Sequence, residues 1–190
     1  MHFQISKSLP ACLGAIALLA TGLAHAGVVT NGDFETGNFT GWTQFGDTTF
    51  SGVDTQMPQA GNFAAYFGNP TSGGIVQQLA TFTGVAYNVS FWLQNEADVL
   101  GVAAPNTFEF NWNGGAAELT LTDSAPFGYR LYEFNNLVAT SASTELRFTF
   151  TQSPAIWDLD SVKAVPEPRA LALVSLAGLL AMVATRRRRV

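Results

Sequence analysis

The sequence predicts an all-β fold, an antiparallel β-sandwich, with one apolar helix at each end of the chain. Short β-rich runs recur between residues 63 and 151, separated by turn formers. No stretch between the ends keeps a helical period for three turns, and the unbroken apolar runs lie at the two termini. The intervening segment of about 140 residues is enough for one domain with a real core. Charged residues make up only 12% of the 190-residue chain, and it holds 15 Phe and 4 Trp, which excludes disorder of the high-charge kind.

At the N-terminus, Lys7 supplies a basic residue, Ala11 to Ala20 a short apolar stretch, and Ala24-His25-Ala26 a small-x-small cleavage site. This is the pattern of a secretory signal, cut by signal peptidase before Gly27. Residues 1–26 are therefore read as signal peptide, 27–164 as the β-sandwich ectodomain and 165–190 as a tail. Cleavage would remove Cys12, His2 and His25, leaving a mature chain without thiol or imidazole. Disulfides, Cys or His zinc ligands and histidine-activated nucleophiles are then excluded.

The strands follow in order: Phe63 to Phe67, Ile75 to Leu79, Tyr87 to Leu93, Phe108 to Trp112, Glu118 to Leu121, Tyr129 to Phe134 and Glu145 to Thr151. Asn69-Pro70, Gly73-Gly74, Asn113-Gly114-Gly115 and Ala125-Pro126 read as the turns between them. In Leu146 to Thr151, apolar and polar residues alternate strictly, so Phe148 and Phe150 belong to a core and Arg147 to a wet face. Phe108 and Phe110 repeat the pattern, with Glu109 and Asn111 pointing the other way. Trp112, beside a Gly-rich turn, suits core and ligand platform equally. A jelly roll is the natural architecture.

The tail has three parts. Pro166 and Pro168 force an extended entry around Glu167. An apolar run from Ala170 to Ala184 then covers every face of a helix, and Arg186, Arg187, Arg188 and Arg189 follow. An all-round apolar helix wants lipid. A transmembrane helix over about 170–185 is predicted, with the arginines holding the C-terminus in the cytoplasm. Between Gly27 and Val165 stand thirteen carboxylates against Arg130, Arg147 and Lys163. Nucleic acid and anionic membrane surfaces are therefore poor partners for the ectodomain, and cations or neutral polymers better ones.

Proline-glutamate-proline, an apolar span and a terminal arginine cluster resemble the PEP-CTERM sorting tail of bacterial surface proteins. That resemblance implies recognition and cutting near the proline motif by exosortase, a membrane enzyme of transpeptidase type. The ectodomain carries a second resemblance. Asn31-Gly32-Asp33-Phe34-Glu35 with Gly41-Trp42 opens it, and Ile156-Trp157-Asp158-Leu159-Asp160-Ser161-Val162 closes it. Both segments, with Ile75 to Leu79 and Tyr87 to Trp92 between them, are similar to carbohydrate-binding-module and galactose-binding-like jelly rolls.

That likeness implies a structural calcium ion shared by the first and last strands. Glu35 and Asp160 match the family's acidic positions, with Asp33 and Asp158 as weaker candidates. Asp160 is expected to be buried, and Asp158 to face solvent beside an exposed or half-exposed Trp157. A sugar site needs an aromatic face and nearby polar groups. Trp42, Trp92, Trp112 and Trp157 are available as platforms, with Gln44, Gln77, Gln94, Asn95 and Asn111 as polar neighbours. Trp42, Trp92 and Trp157 read better as structural residues, so no binding residue is assigned. Asp158 and Asp160 form the one carboxylate pair to weigh for a glycosidase, about 7 Å apart along a strand. Nothing else supports catalysis. The expected function is a non-catalytic, extracellular binding module, with polysaccharide as its partner. A purely structural envelope protein is the alternative, and a glycosidase a remote one.

Overall fold

The computed structural model describes residues 28–97 and 105–167. The predicted signal helix with Ala24, Ala26 and Gly27, the transmembrane helix, Pro168 and the arginine cluster lie outside the described residues. Among the described residues ten strands occur in order: β1 (Thr43–Gly46), β2 (Ser51–Asp54), β3 (Ala64–Phe67), β4 (Gly73–Ala80), β5 (Ala86–Asn95), β6 (Asn106–Trp112), β7 (Ala117–Thr122), β8 (Phe127–Val138), β9 (Ser143–Gln152) and β10 (Trp157–Pro166). They form two five-stranded antiparallel sheets, β1-β4-β9-β6-β7 and β2-β3-β10-β5-β8, which enclose one core.

Each of the seven predicted runs lies on a strand. Strands β1 and β2 were not legible, because each has four residues with a single large apolar one, whereas the equally short β3 is apolar throughout. The predicted turn at Gly73-Gly74 is instead the start of β4. A Cβ on Gly73 would lie 1.9 Å from the Asp47 carbonyl oxygen, and one on Gly74 2.0 Å from that of Phe148. These glycines admit neighbouring backbone rather than bend their own. Asn113 and Gly114 do turn the chain between β6 and β7, with φ of 62° and 67°.

Phe108, Phe110 and Trp112 of β6 and Leu146, Phe148 and Phe150 of β9 point into the core, as their alternation requires. Phe150 stacks on Phe67 of the opposite sheet at 3.9 Å, and Phe148 meets Phe91 edge-on at 5.0 Å. Such contacts add to what burial of the rings already contributes. Trp112, 4% exposed, belongs to this core, and its Nε1 donates to the Val138 carbonyl.

The opening motif is structural. Phe34 is buried against Trp42, whose Nε1 donates to the Asn31 carbonyl at 3.0 Å. Thr30 N–H donates to Gln77 Oε1 and the Thr30 carbonyl accepts from Gln77 Nε2, which fastens the segment to β4. The closing motif forms β10, paired with β3 and β5. Its strand continues beyond Ala164, with Val165 opposite Asn88 and Pro166 opposite Tyr87, and Glu167 N–H donates to the Ala86 carbonyl. The first two residues of the proline motif are thus part of the folded sheet.

Candidate functional site

The closing strand corrects two expectations. Trp157 is completely buried against Phe108 and Phe127. Alternation then turns Asp158 and Asp160 to the outer face of their sheet, yet Asp158 is only 3% exposed. What covers them is the segment between β2 and β3, residues 55–63. Gln59 and Ala60 N–H groups donate to Asp160 Oδ2 at 2.9 and 3.1 Å, and Ser161 N–H donates to Oδ1. From the other side, Asn62 and Phe63 N–H groups donate to Glu35 Oε1 at 2.7 and 3.0 Å, and Asn62 Nδ2 to Oε2. Farther along, the Tyr129 hydroxyl of β8 donates to the Met57 carbonyl at 2.7 Å.

The two leading calcium candidates therefore meet at one loop. A hard cation wants six to eight oxygens, but each carboxylate here faces N–H donors, whose positive ends oppose a cation. Asp33 is exposed and accepts from Glu35 N–H. Among the described residues, no group of three or more His, Cys, Asp or Glu gathers to hold a metal ion. This donor set does not fit a shared calcium.

The electrostatics divide accordingly. The backbone N–H groups of Asn62 and Phe63 hold the Glu35 carboxyl below its usual range. Burial pushes Asp160 up despite its three N–H donors. Burial also pushes Asp158 up, and the neighbouring carboxylates of Glu96 and Asp54 add to it, while a hydrogen bond from Gln94 Nε2 opposes it. Asp54, Glu96 and Asp158 line one small cavity of about 190 Å³ together with Gln56, Met57, Tyr66 and Ile156.

Three of the four candidate platforms, Trp42, Trp112 and Trp157, are core residues. Trp92, expected in the core, is half-buried on the outer face, between Asp160 on β10 and the 44%-exposed Leu131 on β8. Of the polar candidates, Gln77 ties down Thr30, Gln94 binds Asp158, and Asn95 binds the Ser124 carbonyl and Gln152 inside the molecule. Gln44 bonds Ser51 at the surface. Gln94 and Asn95 also reach an open hollow beside Met57 and Phe127, and Asn111 opens onto a groove on the other sheet.

That groove, of about 570 Å³, lies on the outer face of the β1-β4-β9-β6-β7 sheet. Register lines up Phe45, Gly74, Thr149, Glu109 and Thr120 across all five strands. The next row holds Thr43, Val76, Arg147 and Asn111, and the row after it Gln78 and Glu145. At the usual strand spacing, the first row spans about 19 Å. Arg147 lies over the Phe45 ring at 4.2 Å, and its Nε donates to Glu145 Oε1 at 3.0 Å. Gln78 Nε2 donates to Glu145 Oε2, and Ser143 Oγ to Gln78 Oε1. The result is an open strip with an aromatic side chain, amide and hydroxyl groups, and charged groups at its centre.

Sequence reasoning placed Arg147, Glu109 and Asn111 on a wet face but did not join them. The signal was the alternation in β6 and β9, while adjacency and register are properties of the sheet. Phe45 carried no signal, because β1 is too short to show one.

No protein-family model matches the chain, and no curated protein matches its sequence. Its fold is similar to solved structures at low identity. TmCBM61, solved in complex with β-1,4-galactotriose, has a TM-score of 0.61 at 18% identity over 75% of this chain and 100% of that one. A family 16 carbohydrate-binding module has a TM-score of 0.51 at 16% identity, over 73% and 99% of the two chains. The enzymatically active domain of tailspike protein 4 of Bacteriophage CBA120 has 0.54 at 15%, over 74% of this chain and 21% of that one. The structural neighbours are mostly carbohydrate-binding modules, and the shared feature is the fold, an antiparallel jelly-roll sandwich of two sheets.

Proposed function

We propose that this protein is an exported, non-catalytic carbohydrate-binding module that takes a glycan chain along the outer face of the β1-β4-β9-β6-β7 sheet. The observation that carries the reading is the groove itself. Phe45, one face of whose ring is taken by Arg147, offers the rest of its ring to the apolar side of a sugar, and Thr149, Asn111 and Glu109 offer hydrogen-bond partners for its hydroxyls within two rows of one sheet. Carbohydrate-binding modules among the structural neighbours support this use of the fold. Burial of Trp42, Trp112 and Trp157 favours the second reading, a structural envelope protein without a soluble ligand. A glycosidase gains no support from Asp158 and Asp160, because the 55–63 segment covers both and Asp160 is taken up by backbone N–H groups.

Export and sorting rest on the sequence. The signal pattern before Gly27 and the tail from Val165 support delivery across the cytoplasmic membrane, passage through an exosortase-type enzyme, and a place at the cell surface or in a polysaccharide matrix. We read Glu35 and Asp160 as a metal-free clasp on the 55–63 segment.

Binding to the host's own extracellular polysaccharide tests the function. Saturable binding that weakens in Phe45→Ala supports the groove, whereas no binding by a folded protein leaves the structural reading. For sorting, the mass of the protein isolated from its host decides: loss of everything beyond the proline motif marks cleavage, and an intact tail marks a permanent anchor.

A further inference from the structure

We infer that Glu145 is a specificity-determining residue that makes the groove selective for uncharged glycans by masking Arg147. The inference rests on the carbohydrate-binding reading and names the ligand class of that same site.

Arg147 is the single basic residue on the five strands of this sheet, and a bare guanidinium at the middle of a groove would favour uronic acids or other acidic sugars. Here it is not bare. Glu145, two residues away on β9 and on the same face, accepts from Nε at 3.0 Å. The carboxylate is held from behind by Gln78 across the β4 pairing, and Gln78 is held in turn by Ser143. The Phe45 ring at 4.2 Å fixes the guanidinium from a third side.

A second carboxylate, Glu109, stands on β6 one place along from Asn111, which is directly opposite Arg147. Diagonal neighbours of this kind lie about 7 to 8 Å apart. Glu118 on β7 adds a third acidic residue to the same sheet. An acidic sugar would have to displace Glu145 from Arg147 and enter a field of net negative sign. An uncharged sugar meets a guanidinium already paired with Glu145 and loses nothing to repulsion from the remaining carboxylates. Glu145 thus converts a potential anion site into one for hydroxyl groups.

The test is affinity electrophoresis of the full chain in detergent through gels holding a neutral polymer (β-galactan, xylan or β-glucan) or an acidic one (polygalacturonate or alginate). The wild-type chain is expected to be retarded by a neutral polymer and not by either acidic one. Glu145→Gln should gain at least tenfold in affinity for an acidic polymer, and the gain should vanish in 1 M salt, where the screening length falls to about 3 Å. Glu118→Gln removes the same charge from the same sheet without touching Arg147 and should gain only what the weaker field gives, about twofold at most. Retardation of the wild type by acidic polymers overturns the inference while leaving a carbohydrate-binding function in place. So does the absence of a gain in a Glu145→Gln protein that melts as the wild type does, or an equal gain in Glu118→Gln. Failure of every protein to bind any of the five polymers overturns this inference and the binding function together.

Discussion

The outer faces of the two sheets start from the same alternation of apolar and polar residues and end in opposite states. On the β1-β4-β9-β6-β7 sheet the outward side chains bond sideways to one another, as in the row from Ser143 through Gln78 and Glu145 to Arg147. Nothing described crosses above them, and a groove stays open. On the β2-β3-β10-β5-β8 sheet Asp160 bonds upward to the 55–63 segment, which also takes Glu35 and the Tyr129 hydroxyl, while Asp158 is held sideways by Gln94. The charges on the first face are paired with one another yet stay open to a ligand, and Asp160 on the second is a structural fastening. The residue types are similar on both faces, so side-chain chemistry alone does not make a site. What matters is whether each polar group has already found its partner within the chain.

If that contrast is right, the largest effect of substitution falls on the covered face. Asp160→Ala removes both acceptor oxygens used by three backbone N–H groups in a buried setting and should cost about 3 kcal/mol of stability, read from denaturant unfolding. A loss no larger than that of an exposed-face substitution would mean that the 55–63 segment is not fastened by this carboxylate.

The pH dependence should come next in size. The folded-state pKa of Asp158 is raised, chiefly by burial, so the folded chain holds a proton there that the unfolded chain releases in the ordinary carboxylate range. Stability contributed by that proton is fully present below the unfolded value and declines as pH rises toward the folded one; Asp160 shifts in the same direction. Glu35 has the opposite sign: its pKa is lowered, so its contribution is present above the unfolded value and is lost as pH falls through the folded one. Melting curves should show a wild-type Tm that drops between pH 5 and pH 9, and Asp158→Asn should flatten that slope. An unchanged slope in the variant would place the titration elsewhere.

On the open face, Phe45→Ala should weaken binding of a neutral polymer about tenfold, equivalent to about 1.4 kcal/mol, with Tm little changed. A large fall in Tm would reveal Phe45 as a core residue and blur the distinction between the faces. The smallest expected effect is that of a chelator. With N–H donors facing Glu35 and Asp160, a chelating buffer and added calcium should both leave Tm within about one degree, since a ligand that binds only the folded state would raise it. A rise of several degrees with calcium would replace the clasp by a metal site.

The core was the most legible part, because a strand of five or more residues announces its buried face. Phe108 and Phe110, or Phe148 and Phe150, occupy positions that alternate with Glu109, or with Arg147 and Thr149. The same rule could have been applied to Trp157 and Leu159, which face inward together. It could not reveal that Asp158 and Asp160, on the other face, lie under a loop 100 residues earlier in the chain. Glu35 and Asp160 were marked as a pair by resemblance, and the structure does bring them to one loop, whose backbone N–H groups donate to both carboxylates. Gly73 and Gly74 misled as a turn because their need is imposed by Asp47, just past β1, and by Phe148 on β9.

Sequence by itself determined the class of fold, the inward residues of the longer strands, the absence of thiol and imidazole chemistry beyond Gly27, and the acidic balance that disfavours nucleic acid. These follow from composition and from a two-residue period, both of which are local. Only the tertiary structure decided which outer face is covered, which carboxylates are already satisfied, and that Phe45, Arg147, Glu145 and Glu109 share a groove. Those outcomes depend on sheet order, on register between strands far apart in sequence and on the path of one loop, and no local pattern of side chains encodes them.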